Sequence, residues 1–237
     1  MPVELSIILP TYNERENIRE LIPLLARHIQ SQKWDAEVMV VDDQSPDGTG
    51  DVVEQLQQTY PFVQLLRKPQ KKGIGDALRY AYDRANGRYL LSMDADLSLR
   101  LDDIQRLYAP MQAGKDMVVG SKYAHGSLYQ PDGIKGSIQS LFSRAGGAYM
   151  QAISRTPISD FNLNFRMLRR ETWKAIAPRE DGNFFLAEMV FQAHQQGFAV
   201  AEVPVSFLPR KHGKSKTNIW KQSSIFLSKT LQYQRWI

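Results

Sequence analysis

Short apolar runs alternate with amphipathic helical stripes along the first half of the chain, and this alternation restricts the fold more than any other feature. The run LSIILP at 5–10 is short and rich in β-branched residues, which predicts a buried strand, and the stripe at 13–29 predicts a helix. The predicted strands that follow this pattern are 5–10, 36–43, 62–68 and 88–96. Strand–helix alternation predicts right-handed βαβ units and an α/β fold whose sheet is mostly parallel.

Two of the predicted strands end in acidic residues. Asp42 and Asp43 close the second strand, and Asp94 and Asp96 close the fourth. Ligands of open α/β sheets bind at the carboxyl ends of strands, so these acids mark the expected ligand edge. Residues two apart on a strand point to the same side, and two carboxylates held close repel each other unless a cation or a proton lies between them.

A hard divalent cation is the natural partner of such an acid pair. Mg²⁺ and Mn²⁺ take oxygen ligands and often share them with a diphosphate. For an isolated Asp-x-Asp, a solvated turn or a helix cap is the alternative interpretation. The second acidic strand end at Asp42 and Asp43 favours a site that holds a ribose and a metal-bound diphosphate.

The composition excludes several kinds of site. The chain has 237 residues, 43% of them hydrophobic, and no cysteine, so it has neither disulfides nor thiolate metal ligands. Its start lacks the features of a signal peptide, and no apolar run approaches the roughly 20 residues of a membrane span. We therefore expect a cytoplasmic protein. GxGxxG after the first strand, GxxxxGK[ST] and GxSxG are all missing, which disfavours dehydrogenase, P-loop and hydrolase sites.

Two later segments depart from the alternation. Residues 124–137 are rich in Gly, Ser and Pro and predict a long loop, of the kind that often serves as a lid or binding loop. From Arg210 onward the chain is basic, within a net charge of +5. We divide the chain into one domain at 1–210 and a basic amphipathic tail at 211–237. The tail either lies on a membrane surface or packs on the domain.

Several motifs, in this order, resemble the GT-A glycosyltransferases of family 2, in particular the dolichyl- and polyprenyl-phosphate mannose synthases. They are IILPTYNERENI, VVDDQSPDGT, LLSMDADLS, VGSKY, AEMVFQAHQQGFAVAEVPVSF and RKHGKSK. The resemblance covers about residues 3–220. It implies the GT-A nucleotide-diphospho-sugar transferase fold, with helices on both faces of the sheet.

The resemblance also implies roles for individual residues. The implied donor-binding residues are Pro10, Tyr12, Glu14, Asp42, Asp43, Lys122, Arg210 and Lys216. The implied metal ligands, for Mg²⁺ or Mn²⁺, are Asp94 and Asp96, which with Glu188 form the implied catalytic set. The implied residues for the acceptor phosphate are Ser143, Arg144 and Ser215.

The implied reaction is an inverting, metal-dependent transfer of a hexose from a nucleotide diphosphate sugar to a polyprenyl or dolichyl phosphate. Mannose is favoured and glucose is possible. A lipid phosphate is already ionised at neutral pH and needs no general base, whereas a hydroxyl acceptor would need one, for which Glu188 is the candidate. Glu188 as a structural helix residue is the other interpretation. A non-catalytic nucleotide-sugar binding module is the alternative of another class. We expect peripheral contact with the cytoplasmic face of a membrane, and no nucleic-acid partner.

The sequence differs from the family pattern at a few positions. Ser98 stands where the mannose synthases often have Gln, and Lys122 replaces an Arg, which loses a bidentate fork. Leu163 and Asn164 replace the usual Ser-Gly before Phe-Arg. The helix expected at 134–147 lacks the Trp- and Arg-rich pattern of those enzymes, so fewer residues support the acceptor assignment than the donor assignment.

Overall fold

The computed structural model describes residues 3–131, 133–212, 225–226 and 228–232. Its strands are β1 (Leu5–Thr11), β2 (Ala36–Asp42), β3 (Val63–Arg67), β4 (Tyr89–Met93), β5 (Met117–Ser121), β6 (Leu128–Tyr129), β7 (Phe165–Arg169), β8 (Val200–Pro204) and β9 (Ser206–Phe207). Its helices are α1 (Arg15–Gln32), α2 (Thr49–Thr59), α3 (Ile74–Tyr82), α4 (Ile104–Gln112), α5 (Gly133–Ser154), α6 (Arg170–Ala175) and α7 (Phe184–Gln195).

The main sheet has the strand order β3-β2-β1-β4-β7-β5-β8. All neighbours run parallel except β7, which is antiparallel to both β4 and β5. Thr11 at the end of β1 lies opposite Asp42 at the end of β2, so the carboxyl ends of these strands meet at one edge. The predicted mostly parallel α/β sheet is confirmed.

Alternate residues of the buried strands supply two separate cores, one on each face of the sheet. In β1, Ile7 and Leu9 belong to the core that packs against α1, α2 and α4, whereas Ile8 belongs to the core that packs against α3 and α7. Successive side chains of a strand point to opposite faces, which explains this division. Helices therefore cover both faces, as the family resemblance implied.

The loop predicted at 124–137 is shorter in the structure. Leu128 and Tyr129 form β6, which pairs with β9 in a small parallel sheet, and α5 already begins at Gly133. The glycines of this stretch suggested a loop. The partner strand β9 lies far along the chain, so local sequence could not show the pairing.

The described part of the C-terminal tail packs on the domain. Phe226 is 9% exposed, and its ring lies edge-on to the ring of Phe184 on α7, with 5.2 Å between centroids. Lys229 forms an ion pair with Glu180. At these positions the packed alternative holds. Two further apolar positions of the membrane-surface prediction are described: Ile225 is half-buried, whereas Leu231 is 47% exposed and does not pack on the domain. The remaining positions, Ile219, Trp220, Leu227 and Trp236, lie outside the described residues.

None of the helices in the described ranges is long and apolar enough to cross a membrane.

The first turn of α3 packs against the loop at 179–182 by direct backbone contact. The Gly75 amide donates to the carbonyl of Asp181 at 2.8 Å. A Cβ atom at Gly75 would lie 2.4 Å from the carbonyl oxygen of Glu180 and 2.6 Å from Cβ of Phe185. Only a residue without a side chain fits this contact.

We expect Gly75→Ala to lower the free energy of unfolding by about 1–3 kcal/mol, because the added methyl group overpacks a backbone contact that cannot relax. Urea denaturation followed by circular dichroism measures this loss. Gly146→Ala in α5 is the control, since no atom lies within 4 Å of the Cβ position there. Equal stability of the two variants would contradict the prediction.

Candidate active site

The turns after β1, β2 and β4 each contain a non-glycine residue in the left-handed backbone region. Asn13, Gln44 and Leu97 have φ of 57°, 57° and 61°. Such residues are uncommon, and strained backbone of this kind clusters at ligand-binding sites. All three residues follow strands at the carboxyl edge of the sheet. The structure therefore supports this edge as the site.

The acid pair lies in the last of these turns and not on the strand, because β4 ends at Met93. The strand geometry predicted for Asp94 and Asp96 is therefore wrong by a few residues, although their place at the sheet edge is confirmed. The strained turn at Leu97 presents the two carboxylates instead.

Asp94 is held by a buried amide. The Asn164 side-chain amide donates to Asp94 Oδ1 at 3.1 Å, and its own carbonyl oxygen accepts a hydrogen bond from Ser92 Oγ at 2.7 Å. Sequence analysis recorded Asn164 only as a departure from the family pattern. Its contact with the acid pair could not be found from the sequence, because β7 must first lie beside β4.

The charge state of Asp94 depends on opposing effects. Burial raises the pKa of its carboxyl group, and the negative charge of Asp96 raises it further. The hydrogen bond from Asn164 and the positive charges of Arg210 and Lys122 lower the pKa, but by less. The acid pair is thus an electrostatically costly arrangement unless a further cation joins it.

The two carboxylate oxygens of Asp96 have different partners: one accepts hydrogen bonds and the other faces the Arg210 guanidinium. Its Oδ1 accepts hydrogen bonds from Ser98 N at 3.1 Å and Ser98 Oγ at 2.5 Å. Its Oδ2 is buried and accepts no hydrogen bond from the residues that the structure describes. Arg210 Nε lies 3.0 Å from this oxygen, at the distance of an ion pair but without the direction of a hydrogen bond. Ser98 thus donates both of its hydrogen bonds to Asp96 Oδ1 and none to Asp96 Oδ2.

This geometry suits a divalent cation. A buried carboxylate oxygen without a hydrogen bond, beside a second carboxylate, is the donor set that Mg²⁺ and Mn²⁺ prefer. Within the described ranges, no group of three or more His, Asp or Glu side chains could enclose a metal ion. Asp94 and Asp96 would therefore supply only part of the coordination, and the remaining oxygens would come from a bound diphosphate and water.

The turn after β2 fixes the start of α1. Glu14 N donates to Thr49 Oγ1 at 3.0 Å and Arg15 N donates to Asp47 Oδ2 at 3.1 Å, so two free amides of the helix N-terminus are capped from another loop. Burial raises the pKa of Asp47, but its hydrogen bonds lower it more.

The predicted donor residues of the first motif lie together at this edge. Pro10, Tyr12 and Glu14 are half-buried around the end of β1. Lys71 Nζ lies 2.9 Å from the centroid of the Tyr12 ring. The sequence analysis missed Lys71, and the run KPQKK was the only signal that could have pointed to it.

Asp42 is largely engaged in the turn that follows it. Its Oδ1 accepts from Ser45 Oγ at 2.5 Å, and its Oδ2 accepts from Ser45 N at 3.2 Å. Ser45 Oγ also accepts from Asn13 N at 2.9 Å, which ties this turn to the start of α1. The role of Asp42 in binding a base or ribose stays a prediction.

Asp43 belongs to a buried triad with a residue that sequence analysis missed. Lys68 Nζ lies 2.6 Å from Asp43 Oδ1 and 2.5 Å from Asp76 Oδ2. Burial lowers the pKa of Lys68, but the two carboxylates raise it more. Burial raises the pKa of Asp43 by more than Lys68 lowers it. The direction for Lys68 thus reflects its two ion pairs, whereas the direction for Asp43 reflects the burial of its carboxyl group.

Lys122, at the end of β5, is surrounded by aromatic rings and acids. Its Nζ lies 4.9 Å from the centroid of the Phe207 ring. Burial lowers the pKa of Lys122, but the nearby Asp160, two tyrosines and Asp94 raise it more. The residue therefore stays cationic beside the acid pair, as expected for a phosphate contact.

The loop before β7 is held by a fully buried arginine. Arg166 donates to the carbonyl of Leu186 at 2.5 Å and to that of Leu163 at 2.7 Å. Burial lowers its pKa to about 10, against the opposing charges of Tyr82, Asp160 and Asp94. Arg166 positions the loop that carries Asn164, a role that the Phe-Arg motif alone did not reveal.

The predicted acceptor residues lie on α5, next to the loop that carries Lys122. Ser143 Oγ accepts a hydrogen bond from Asn162 Nδ2 at 3.4 Å, and the Arg144 guanidinium lies 5.8 Å from the centroid of the Tyr123 ring. Two further predicted residues, Ser215 and Lys216, lie outside the described residues.

Glu188 is occupied by structural contacts. It is 1% exposed, and its carboxylate accepts hydrogen bonds from Arg179 N at 3.0 Å, Glu180 N at 2.8 Å and Gln192 Nε2 at 3.1 Å. These contacts anchor the loop that packs on α3. They favour the structural interpretation of Glu188 over the catalytic one, which keeps only the support of the family resemblance.

We expect Lys68→Met to lower the free energy of unfolding by about 2–4 kcal/mol, because it leaves the buried Asp43 and the half-buried Asp76 without their shared cation. Chemical denaturation at neutral pH measures this change. Lys72→Met, in the same loop but on an exposed side chain, should change stability by less than about 0.5 kcal/mol. A loss below about 1 kcal/mol in the Lys68 variant would show that the triad is not important for stability.

Solved structures share this architecture. Glucosyl-3-phosphoglycerate synthase of Mycobacterium tuberculosis, in complex with Mn²⁺, UDP and phosphoglyceric acid, has a TM-score of 0.72 and 16% identity over 98% of this chain and 78% of that chain. The same enzyme with Mg²⁺ and UDP has a TM-score of 0.70 and 16% identity over 98% and 79%. At such identities the likeness shows the fold alone, which is the GT-A fold.

Proteins related in sequence identify the family, which the solved structures at 16% identity do not. Polyprenol monophosphomannose synthase of Mycolicibacterium smegmatis is 32% identical over 217 residues, which cover 89% of this chain and 79% of that protein. Dolichol-phosphate mannosyltransferase of Pyrococcus furiosus is 31% identical over 220 residues, 90% of this chain, but the chain spans only 59% of its length. The family model for glycosyl transferase family 2 matches residues 6–176. The chain therefore belongs to glycosyl transferase family 2 and is a glycosyltransferase.

Proposed function

We propose that the chain transfers a hexose, with mannose as the first candidate, from a nucleotide diphosphate sugar to the phosphate of a polyprenyl or dolichyl lipid, with inversion and with a divalent cation. The observation that carries this proposal is the acid pair itself. Asp96 Oδ2 is buried and accepts no hydrogen bond from the described residues, and the charges of Lys122 and Arg210 act on the neighbouring Asp94. The names of the two sequence relatives support mannose and a polyprenyl or dolichyl acceptor.

The donor would lie along the carboxyl edge of the sheet. Tyr12 and Glu14 would hold the nucleoside, and Asp42 and Asp43 line the same edge. Mg²⁺ or Mn²⁺ on Asp94 and Asp96 would neutralise charge on the donor diphosphate. Lys122 and Arg210 would stabilise the negative charge that develops on the leaving nucleoside diphosphate.

The acceptor side would bind a phosphate. Ser143 and Arg144 lie on α5 beside Tyr123, and with Ser215 they would orient a phosphate oxygen toward the anomeric carbon, opposite the leaving group. An ionised phosphate needs no general base, which agrees with the structural contacts of Glu188. Because the acceptor is a lipid, we propose that the enzyme works at a membrane surface, on its cytoplasmic face.

We expect release of the nucleoside diphosphate to require the lipid phosphate, the divalent cation and Asp96. The assay offers GDP- and UDP-hexoses with Mg²⁺ or Mn²⁺, with and without a short polyprenyl phosphate. Asp96→Asn should lower kcat/KM by at least about 100-fold, because it removes a charged ligand from the diphosphate site. Asp102→Asn is the control, since that side chain is 80% exposed and lies outside the site.

Formation of a glycosyl lipid from one donor would identify the sugar, the nucleotide and the better metal. Slow hydrolysis of the donor that ignores the lipid would contradict the proposed acceptor. Tight donor binding without turnover on any acceptor would contradict transfer by this chain on its own.

We expect Glu188→Gln to retain most of kcat with a polyprenyl phosphate but to lower stability by about 1–3 kcal/mol. A glutamine amide cannot accept the backbone hydrogen bonds of Arg179 and Glu180 as the carboxylate does. Thermal denaturation and turnover are measured on the same preparation, well below its unfolding transition. A loss of kcat above about 100-fold in the folded variant would instead support a catalytic base and a hydroxyl acceptor.

A further inference from the structure

Residues 208–212, here called the strap, lie across the acid pair and are held at two places. On one side, Leu208 N donates to the carbonyl of Ser98 at 2.8 Å, and Lys211 N donates to that of Asp96 at 3.4 Å. On the other side, Lys211 Nζ contacts the carboxylate of Glu20 on α1. The strap therefore connects the turn that carries Asp94 and Asp96 with helix α1.

Glu20 binds the strap with both oxygens. His212 Nε2 lies 2.9 Å from Glu20 Oε1, and Lys211 contacts Glu20 Oε2. The side-chain amide of Asn17, also on α1, donates to the carbonyl of His212 at 3.5 Å. These contacts fix the two residues that directly follow Arg210. They restrict where the Arg210 guanidinium can reach.

The position of Arg210 conflicts with a metal ion on the acid pair. Arg210 Nε lies 3.0 Å from Asp96 Oδ2, the buried oxygen that accepts no hydrogen bond from the described residues. Ser98 already uses Asp96 Oδ1. A guanidinium and a divalent cation on one buried oxygen would repel each other strongly. Arg210 must therefore leave Asp96 Oδ2 before a cation can take that oxygen.

We propose that Glu20 is a positioning residue that holds Arg210 on Asp96 through Lys211 and His212, so that the strap competes with the divalent cation for the acid pair. This inference rests on the proposed function only in its use of the metal site. Because the strap and the cation exclude each other, any contact that stabilises the strap in this position lowers the affinity for the cation by the factor by which it stabilises the strap. Once released, Arg210 is free to turn toward the donor diphosphate.

If the strap competes with the cation, removing the negative charge of Glu20 should raise the affinity for the cation, which is the opposite of what the change in charge alone predicts. Removing a negative charge from a protein normally weakens its attraction for a cation. Glu20→Gln should instead tighten Mn²⁺ binding to the nucleotide-free protein by about two- to fivefold, the range expected for partly exposed ion pairs. Electron paramagnetic resonance of free Mn²⁺, in the absence of any nucleotide, measures this affinity.

The matched control is Glu16→Gln. Glu16 lies on the same helix and forms its ion pairs with Arg15 and Arg19 rather than with the strap, and the substitution removes the same charge. Its Mn²⁺ affinity should be unchanged or slightly weaker. Arg210→Gln should bind Mn²⁺ more tightly than the wild type. Equal or weaker binding by Glu20→Gln than by Glu16→Gln would overturn the proposal, as would a lack of Mn²⁺ binding by every variant.

A second readout follows the strap directly. Trypsin can cut after Arg210 only when the strap opens, so we expect Mn²⁺ to speed this cleavage in the wild type by at least twofold. Cleavage of a small peptide by the same trypsin corrects for direct effects of Mn²⁺ on the protease. Glu20→Gln should be cut faster without Mn²⁺, and Asp96→Asn should lose the response to Mn²⁺. A cleavage rate independent of Mn²⁺ in the wild type would overturn the proposal.

The two proposals can fail separately. If Mn²⁺ opens the strap but no glycosyl lipid forms, the proposed reaction fails and the competition stands. If glycosyl lipid forms while Glu20→Gln binds Mn²⁺ like the wild type, the role of Glu20 fails alone.

Discussion

The repulsion between the half-buried carboxylate of Asp94 and the buried carboxylate of Asp96 is the constraint on which the rest of the site depends. Each is stabilised by a different set of groups. Asn164 supports the first, and Ser98 and Arg210 support the second. The cost of this arrangement explains why hydrogen-bond donors and cations from distant parts of the chain converge on one turn.

The elements around this turn also hold buried acidic side chains through contacts with other segments of the chain. Lys68 forms ion pairs with two acids behind the carboxyl edge of the sheet, and Glu188 anchors the loop on which the start of α3 rests. The Gly75 amide then joins that loop to α3 by a direct hydrogen bond to the backbone of Asp181. The carboxyl edge of the sheet is therefore supported by a continuous set of polar contacts from α7 through α3 to the end of β2.

The sequence predicted the sheet, its ligand edge and the acid pair, because each depends on local periodicity or on neighbouring residues. It did not predict the partners of those acids. Asn164 lies 70 residues along the chain from Asp94, and Lys68, which pairs with the acid after β2, lies 25 residues from Asp43, so neither contact could be inferred from neighbouring residues. For Glu188 the family pattern indicated chemistry, whereas its backbone contacts become visible only when the loop before α7 is folded.

The reversed direction of β7 has a consequence for how the site is assembled. Phe165 at the start of β7 lies opposite Met93 at the end of β4, so the loop that precedes β7 arrives at the edge that the other loops reach by following their strands. The loops at this edge of the sheet thus come partly from the ends of parallel strands and partly from the segment that enters an antiparallel strand. A longer or shorter segment before β7 could reshape its part of this edge while the pairing of the parallel strands stays in register.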